Sequence, residues 1–332
     1  MPDPNWANET MWTGDNLPIL RGMNSQSVDL IYLDPPFNSK ANYAAPIGSM
    51  AAGAEFKDTW TLQDVDVAWL DLIQLKHPRL NRVIDAAMTD SDKSYLVYMA
   101  PRLLEMHRVL KPTGSIYLHC DPTMSHYLKL LMDAIWGRRN FRNEIIWCYS
   151  TSGRTKRFFA KKHDTILLFT KSDKSYWGDY RIPVSPEYLA SHYRQKDENG
   201  KQCRIREDAG KVRVYYPDEG MICNDWWEIP YVNSMSKERT GYPTQKPLAL
   251  LDRIIKASSN EGDMVLDPFC GCATACVAAH NLNRKWVGID ISPKAYELVK
   301  RRIQDGGGAV LQPRKPHRRT RTDGHGQTTE VQ

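Results

Sequence analysis

The sequence predicts an α/β protein built on a mostly parallel sheet, and three observations carry that prediction. Apolar runs of strand length, rich in branched residues, alternate with segments of helical spacing. Two such runs, far apart in the chain, end on an aspartate followed by proline: Val28–Leu33 before Asp34-Pro35-Pro36-Phe37, and Met264–Leu266 before Asp267-Pro268-Phe269. Between them, from residue 172 to about 240, short alternating segments with turn signals at Glu198-Asn199-Gly200 and Asp218-Glu219-Gly220 indicate a small, hairpin-rich insertion.

Length and composition set the frame. A chain of 332 residues is one large domain, or one domain with a sizeable insertion. Its 41% hydrophobic and 25% charged residues are ordinary for a globular chain. No apolar run is long enough to span a bilayer, and Met-Pro-Asp-Pro-Asn-Trp lacks the features of a signal peptide. The 7 cysteines, an odd number, fit a reducing compartment better than a disulfide framework, so a cytoplasmic protein is expected. Cys270, Cys272 and Cys276 lack zinc spacing, and no metal is expected. The net charge of +6 is compatible with a polyanionic partner without establishing one.

In chain order, Glu9–Thr13 reads as a short strand ending at Gly14-Asp15, residues 16–24 as a helix, and Val28–Leu33 as a buried strand. Residues 39–53 are small and polar, a flexible loop and candidate lid. Phe56, Trp60, Trp69, Leu70, Ile73 and Leu75 suggest helical packing, with Trp60 in the core. A helix follows from Ser91 to Leu110, closed by Lys111-Pro112-Thr113-Gly114. Then come a strand at 115–120, a helix at 126–136, and strands at 144–148 and 165–169. After the insertion, a helix at 248–258 leads to the strand before Asp267. A small-residue helix, a strand from Lys285 to Ile289 ending at Asp290, and a helix at 293–304 complete the pattern. The polar, arginine-rich tail beyond Gly306 is expected to be disordered.

The two aspartate corners carry the chemistry. Pro35 and Pro36 have no N–H and hold the preceding residue extended, so the corner offers the Asp34 carboxylate and the Pro35 carbonyl as acceptors. Such a corner suits an –NH2 group, with the Phe37 ring free to stack on whatever carries it. The second corner, Asp267 to Thr274, is a strand end, a tight loop and a helix start, where free N–H groups gather. Asp290 ends the next strand about twenty residues on, the spacing at which an acid holds ribose hydroxyls. A nicotinamide dinucleotide fits poorly, because Gly271 is the lone glycine of that loop.

Asp-Pro-Pro-Phe with Asp-Pro-Phe-Cys-Gly-x-x-Thr resembles the S-adenosylmethionine-dependent DNA amino-methyltransferases, and the motif order resembles their β class. Gly14-Asp15, the stretch from His163 to Lys171, and Gly241-Tyr242-Pro243-Thr244-Gln245-Lys246-Pro247 match as well. The resemblance runs from about residue 10 to 304, outside most of the insertion. It implies a permuted Rossmann-like sheet of seven strands with helices on both faces, in which the strands ending at Asp34 and Asp267 are neighbours. The implied organisation is a methyltransferase domain in two parts, 10–171 and 241–305, a target-recognition insertion at 172–240, and a basic tail at 306–332.

The resemblance also implies roles. Asp34 and the Pro35 carbonyl, with Pro36 stiffening the corner, accept hydrogen bonds from the amine of a flipped base, and Phe37 stacks on it. Asp290 holds the cofactor ribose and Asp15 its adenine amine. Asp267, Phe269, Gly271 and Thr274 line the cofactor loop, and Lys246 with Thr244 meets the methionine carboxylate. Ser39 and Lys40 are further candidates for cofactor or DNA contact. His119 is read as a packing histidine at a strand end. Arg154, Lys156, Arg157, Lys161 and Lys162, with Arg204 and Arg206 of the insertion, are the candidates for DNA contact. Departures are Cys272 where the family has serine and Ala273 where it has glycine, an alanine acceptable there if its φ is negative.

The function implied is methylation of adenine N6 in double-stranded DNA. Cytosine N4 is the first alternative, a non-catalytic DNA-binding relative the second, and a nicotinamide oxidoreductase is disfavoured. The family is compatible with a homodimer and with a separately encoded restriction endonuclease.

Overall fold

The computed structural model describes residues 4–38, 42–45, 49–52, 55–57, 64–150, 157–304, 310–312, 320–322 and 328–330. Ser39, Lys40, Trp60, Arg154 and Lys156 lie outside them.

The main sheet uses the strands β1 Thr10–Thr13, β2 Val28–Leu33, β3 Leu110–Cys120, β4 Phe141–Cys148, β5 His163–Thr170, β6 Trp226–Glu228, β7 Met264–Asp267 and β8 Lys285–Asp290. Their spatial order is β1-β8-β7-β2-β3-β5-β4-β6. All pairs are parallel except the two made by β5, which runs against both β3 and β4. Seven strands are those the family resemblance implies. The eighth, β6, comes out of the insertion and pairs parallel with β4, Trp227 opposite Trp147.

The central strands are apolar throughout because both faces are covered. Alternate residues point to opposite cores. Ile31, Leu33, Ile116, Leu118, Leu266 and Val287 join a cluster with the helices Asp90–Val109 and Ser125–Trp136. Leu30, Tyr32, Tyr117, Val265 and Trp286 join another with the helices Leu248–Ser258, Thr274–Asn281 and Pro293–Gln304. Chain leaving β2 therefore passes to one face and chain leaving β7 to the other, although the two strands are hydrogen-bonded neighbours, Leu266 opposite Ile31. A crevice opens where adjacent strands part in this way. Asp29 pins it from below, accepting two bonds from the Lys111 ammonium of β3 at 2.8 and 2.7 Å and one from the Met264 N–H of β7 at 2.9 Å.

Several elements differ from expectation. Lys111-Pro112-Thr113-Gly114 does not merely end a helix but opens β3, which starts at Leu110. Phe56 belongs to a short strand, Glu55–Lys57, paired antiparallel with Asn42–Ala44. The helix after it begins only at Asp64, and Leu75 is 81% exposed rather than core. Part of the expected lid is packed: Ala51 is buried against Cys272 and Tyr242, and its N–H donates to the Thr240 carbonyl at 3.1 Å. Where disorder is expected in the tail, residues 310–312 lie along β1. Met11 N–H donates to the Leu311 carbonyl, and Leu311 N–H to that of Glu9, both at 2.9 Å. Thr320–Thr322 and Thr328–Glu330 also pair as strands. The bare edge of β1 supplies the backbone partners that composition does not reveal.

Candidate active site

A cleft of about 300 Å³ opens at the ends of β1, β8, β7 and β2. It brings together Asp15, Asp34, Pro35, Pro36, Phe37, Thr244, Lys246, Asp267, Phe269, Gly271, Thr274 and Asp290, every catalytic and cofactor candidate read from the sequence except Ser39 and Lys40, which lie outside the described residues.

The acceptor corner is held from several sides. Asn38, in the left-handed region at φ +59°, donates to Asp92 at 3.0 Å and accepts from the Ser91 hydroxyl at 2.7 Å. This ties the corner to the start of the helix Asp90–Val109. Phe37 stacks on the fully buried His119, ring centroids 5.9 Å apart and planes 25° apart. His119 itself bridges the Tyr32 hydroxyl at 2.9 Å and the Asp164 carboxylate at 3.0 Å, and the Tyr149 hydroxyl donates to the other Asp164 oxygen at 2.9 Å. Burial alone would raise Asp164, but the bond and charge of His119, the charge of Lys246 and the Tyr149 bond hold it below its usual range. His119 is thus a braced platform behind Phe37. Asp34 Oδ2 meets the Lys246 ammonium at 2.7 Å, while Asp34 Oδ1 is buried with no hydrogen-bond partner among the described residues. Lys246, expected from the sequence to meet the cofactor's methionine carboxylate, is paired here with the acceptor aspartate.

The opposite wall suits a nucleoside. Asp290 ends β8 and accepts from the backbone N–H groups of Gly271 and Ser292, both at 2.8 Å, which fixes its carboxylate at the mouth of the loop. Burial raises its carboxyl above the ordinary range. Each oxygen keeps a lone pair for a hydroxyl. Gly271 sits at φ +51°, and a Cβ there would lie 2.9 Å from Tyr242 Cε1, so glycine is demanded by conformation and by space. Ala273 overturns the negative φ allowed for it. It lies at φ +55°, because its N–H closes a turn on the Cys270 carbonyl and its carbonyl starts the next helix through Val277 N–H. That conformation costs an alanine roughly 1–2 kcal/mol, partly offset by its buried methyl. Asp267 is buried beneath the loop, and desolvation, with the charges of Asp34 and Asp290, pushes its carboxyl well above the usual range. The thiols of Cys270, Cys272 and Cys276 are buried and pushed up by that burial, so none is poised as a nucleophile.

Asp15 has a heavier structural duty than its expected hold on an adenine amine. Its Oδ1 caps the helix Asn16–Gly22 through Leu17 N–H at 3.1 Å and accepts from Arg102 at 2.7 Å. Arg102 is 6% exposed, and it is satisfied by Asp15, the Asn16 side chain at 2.7 Å, the Tyr98 carbonyl at 2.8 Å, and the Tyr98 ring beneath its guanidinium. Asn16 in turn donates to the Pro268 carbonyl at 2.8 Å, so this cluster joins the two halves of the cleft. Sequence reasoning missed Arg102, Asn16, Tyr98 and Tyr242. An arginine four residues after a tyrosine on the apolar face of a helix is the signal that could have exposed the pair.

Of the DNA candidates, Arg157 and Lys161 are exposed and Lys162 half-buried on the chain between β4 and β5, on the cleft side of the sheet beside Tyr149. Phe158 and Phe159 between them are 78% and 100% exposed. Arg206 is exposed and paired across a hairpin with Arg213, whereas Arg204 is engaged by Tyr188 within the insertion.

The mostly parallel sheet brings the Asp34 corner and the loop from Asp267 to Thr274 to one cleft, the layout of an α/β enzyme with its site at the strand ends. The chain matches the DNA methylase family model over residues 28–301, and it belongs to that family. It is 32% identical over 246 residues to Type II methyltransferase M.HpaI of Haemophilus parainfluenzae, covering 73% of this chain and 70% of that one. It is 28% identical over 298 residues to the DNA adenine methyltransferase YhdJ of Escherichia coli K12, covering 89% and 82%. The fold resembles TTHA0409 of Thermus thermophilus complexed with S-adenosyl-L-methionine (TM-score 0.52, 18% identity, 92% of this chain, 100% of that one). It also resembles the cytosine-N4-specific PvuII DNA methyltransferase (TM-score 0.50, 14% identity, 92% and 95%). The protein is a DNA methyltransferase.

Proposed function

We propose that this methyltransferase acts on adenine N6 of a base extruded from duplex DNA. The observation that carries the reading is the Asp34–Phe37 corner, a carboxylate and an aromatic ring facing one cleft with the cofactor loop across it. A carboxylate acceptor suits an exocyclic amine, and adenine is favoured because YhdJ, matched over most of its length, is named an adenine methyltransferase. The runner-up is cytosine N4, whose amine would use the same corner.

The residues fit S-adenosyl-L-methionine, the molecule with which TTHA0409 is complexed, as the methyl donor. Asp290 is fixed by two backbone donors with lone pairs to spare, and Gly271 leaves room at the helix start. When bound, the cofactor supplies an electrophilic methyl group. Asp290 binds the ribose, and Thr244 and Lys246 face the amino-acid end. Asp34 and the Pro35 carbonyl orient the amine by accepting its hydrogens, which turns the nitrogen lone pair out of conjugation with the ring. Phe37, backed by His119, holds the base plane. Positioning and fixed charge supply the rate, and the proton released by the amine passes to an acceptor at the Asp34 corner.

In this reading the pieces 10–171 and 241–305 do the chemistry and 172–240 reads the target. Arg157, Lys161, Lys162 and Arg206 track the phosphates, and Arg154 and Lys156 belong to the same segment. Extrusion is required because the amine cannot be reached inside a duplex. Digestion of treated DNA to nucleosides and mass spectrometry tests the proposal: N6-methyladenine supports it, and N4-methylcytosine replaces it with the runner-up.

A further inference from the structure

We propose that Lys246 stands in for the substrate amine, and that it must be drawn off Asp34 before a base is admitted. The inference rests on the acceptor role of Asp34 given above. The Lys246 ammonium is 2.7 Å from Asp34 Oδ2 and 5.2 Å from the centroid of the Phe37 ring. Those are the two groups that receive the amine and the plane of the base, so the ammonium fills the acceptor nitrogen's place. Asp34 has no second oxygen to offer in this arrangement. Its Oδ1 is inaccessible to solvent and unpartnered among the described residues, so Oδ2 is the oxygen that can face the cleft. Lys246 is only 7% exposed, and a pair this dry is not loosened by water alone.

The backbone that carries Lys246 is fixed, so the movement falls to its side chain. Thr244 lies at φ +60°, a left-handed conformation rarely adopted by a β-branched residue, and Gly241 lies at φ +84°. Gln245 locks the turn, accepting from the Thr240 N–H and hydroxyl, both at 2.8 Å, and donating to the Glu238 carbonyl at 2.7 Å. From this mount a flexible four-carbon stem can swing the ammonium between two carboxylates in one cleft. One is Asp34. The other is the carboxylate on the amino-acid end of the cofactor, the group the sequence reading gives to Lys246. The cofactor thereby frees Asp34, and by linkage a captured base tightens the cofactor by the same factor. The device orders the reaction: cofactor first, base second.

The test uses the full chain and a duplex carrying its recognition sequence, with 2-aminopurine at the target position, whose emission rises on extrusion. S-Adenosyl-L-homocysteine keeps the amino-acid carboxylate, and 5′-methylthioadenosine lacks it. Wild-type protein should show a several-fold rise in emission with the first and little with the second. The variant Lys246→Met, checked for folding by its melting curve, should show the rise with no cofactor at all. Equal emission from the wild type with both ligands, or a folded Lys246→Met that stays dark without cofactor, overturns the proposal. The wild-type comparison decides even if the variant does not fold. Methyl transfer by the wild type to the unlabelled duplex keeps the two readings apart. Absent transfer defeats the functional reading, whereas transfer with ligand-indifferent emission defeats the placeholder alone.

Discussion

Gly271→Ala tests the cofactor loop at its tightest point. The added methyl would lie 2.9, 3.2 and 3.4 Å from Tyr242 Cε1, Cζ and Oη, so the tyrosine ring must shift. The ring has little freedom, because Ala51 packs against it and Gln245 N–H bonds to the Tyr242 carbonyl at 3.4 Å. Overpacking of this kind costs about 1–3 kcal/mol. Holding alanine at φ +51° adds roughly 1–2 kcal/mol. Together these give about 2–5 kcal/mol, or on the order of thirty- to several-thousandfold in affinity if the loop must keep its shape to bind. Calorimetric titration with S-adenosyl-L-homocysteine measures the loss, and the melting temperature reports how much falls on folding instead. The double variant Gly271→Ala/Tyr242→Ala separates the two costs, since it removes the contact and keeps the backbone strain; it should recover the larger part. Wild-type affinity and melting temperature in Gly271→Ala would refute the reasoning.

Three further outcomes are expected. Asp34→Asn should reduce methyl transfer to duplex DNA by about a hundredfold or more, while cofactor affinity is kept or tightened, because Asp34 no longer competes for Lys246; unchanged single-turnover rates would contradict the acceptor role. Asp267 has a carboxyl raised by burial, so its protonated form is the one folding favours, and the native state loses stability as pH rises through the raised value. Asp267→Asn cannot ionise, so its melting temperature should exceed that of the wild type at neutral to alkaline pH, and the difference should shrink towards pH 4; a difference independent of pH would sink this account. Replacing Arg157, Lys161 and Lys162 by alanine should weaken DNA binding and flatten the slope of log affinity against log salt by about 2–3. A parallel shift with unchanged slope would remove these residues from the phosphate path.

The alternation of apolar strands with helices was legible because strands covered on both faces can hardly be anything but apolar, and Leu30-Ile31-Tyr32-Leu33 shows it plainly. The cleft was legible because its chemistry sits at strand ends: Asp34, Asp267 and Asp290 each close an apolar run. What the sequence hid is long-range. Residues 226–228 carry no apolar run, and they form a strand only because β4 offers an open edge. Arg102 looks like a stray charge in a buried helix until Asp15, 87 positions away, is seen to pair with it. The Lys246–Asp34 pair joins residues on opposite sides of the insertion, and nothing local announces it. Ala273 shows a different limit, since a left-handed alanine breaks the rule by which glycines are read.

The strand β6 constrains any exchange of the insertion, the segment proposed above to read the target. It is riveted into the catalytic sheet: Ile146 N–H bonds to the Asp225 carbonyl at 2.8 Å, and the Trp147 indole to the Ile229 carbonyl at 2.8 Å. At the near end, Gly178 N–H bonds to the Ala257 carbonyl at 2.8 Å, where a Cβ would strike the Lys256 carbonyl. A graft cut at residues 172 and 240 would strip both anchors from the host, whereas splices after Gly178 and before Asp225 would leave them in place. Exchanges of the insertion between relatives should therefore fold at the inner junctions and yield insoluble protein at the outer ones.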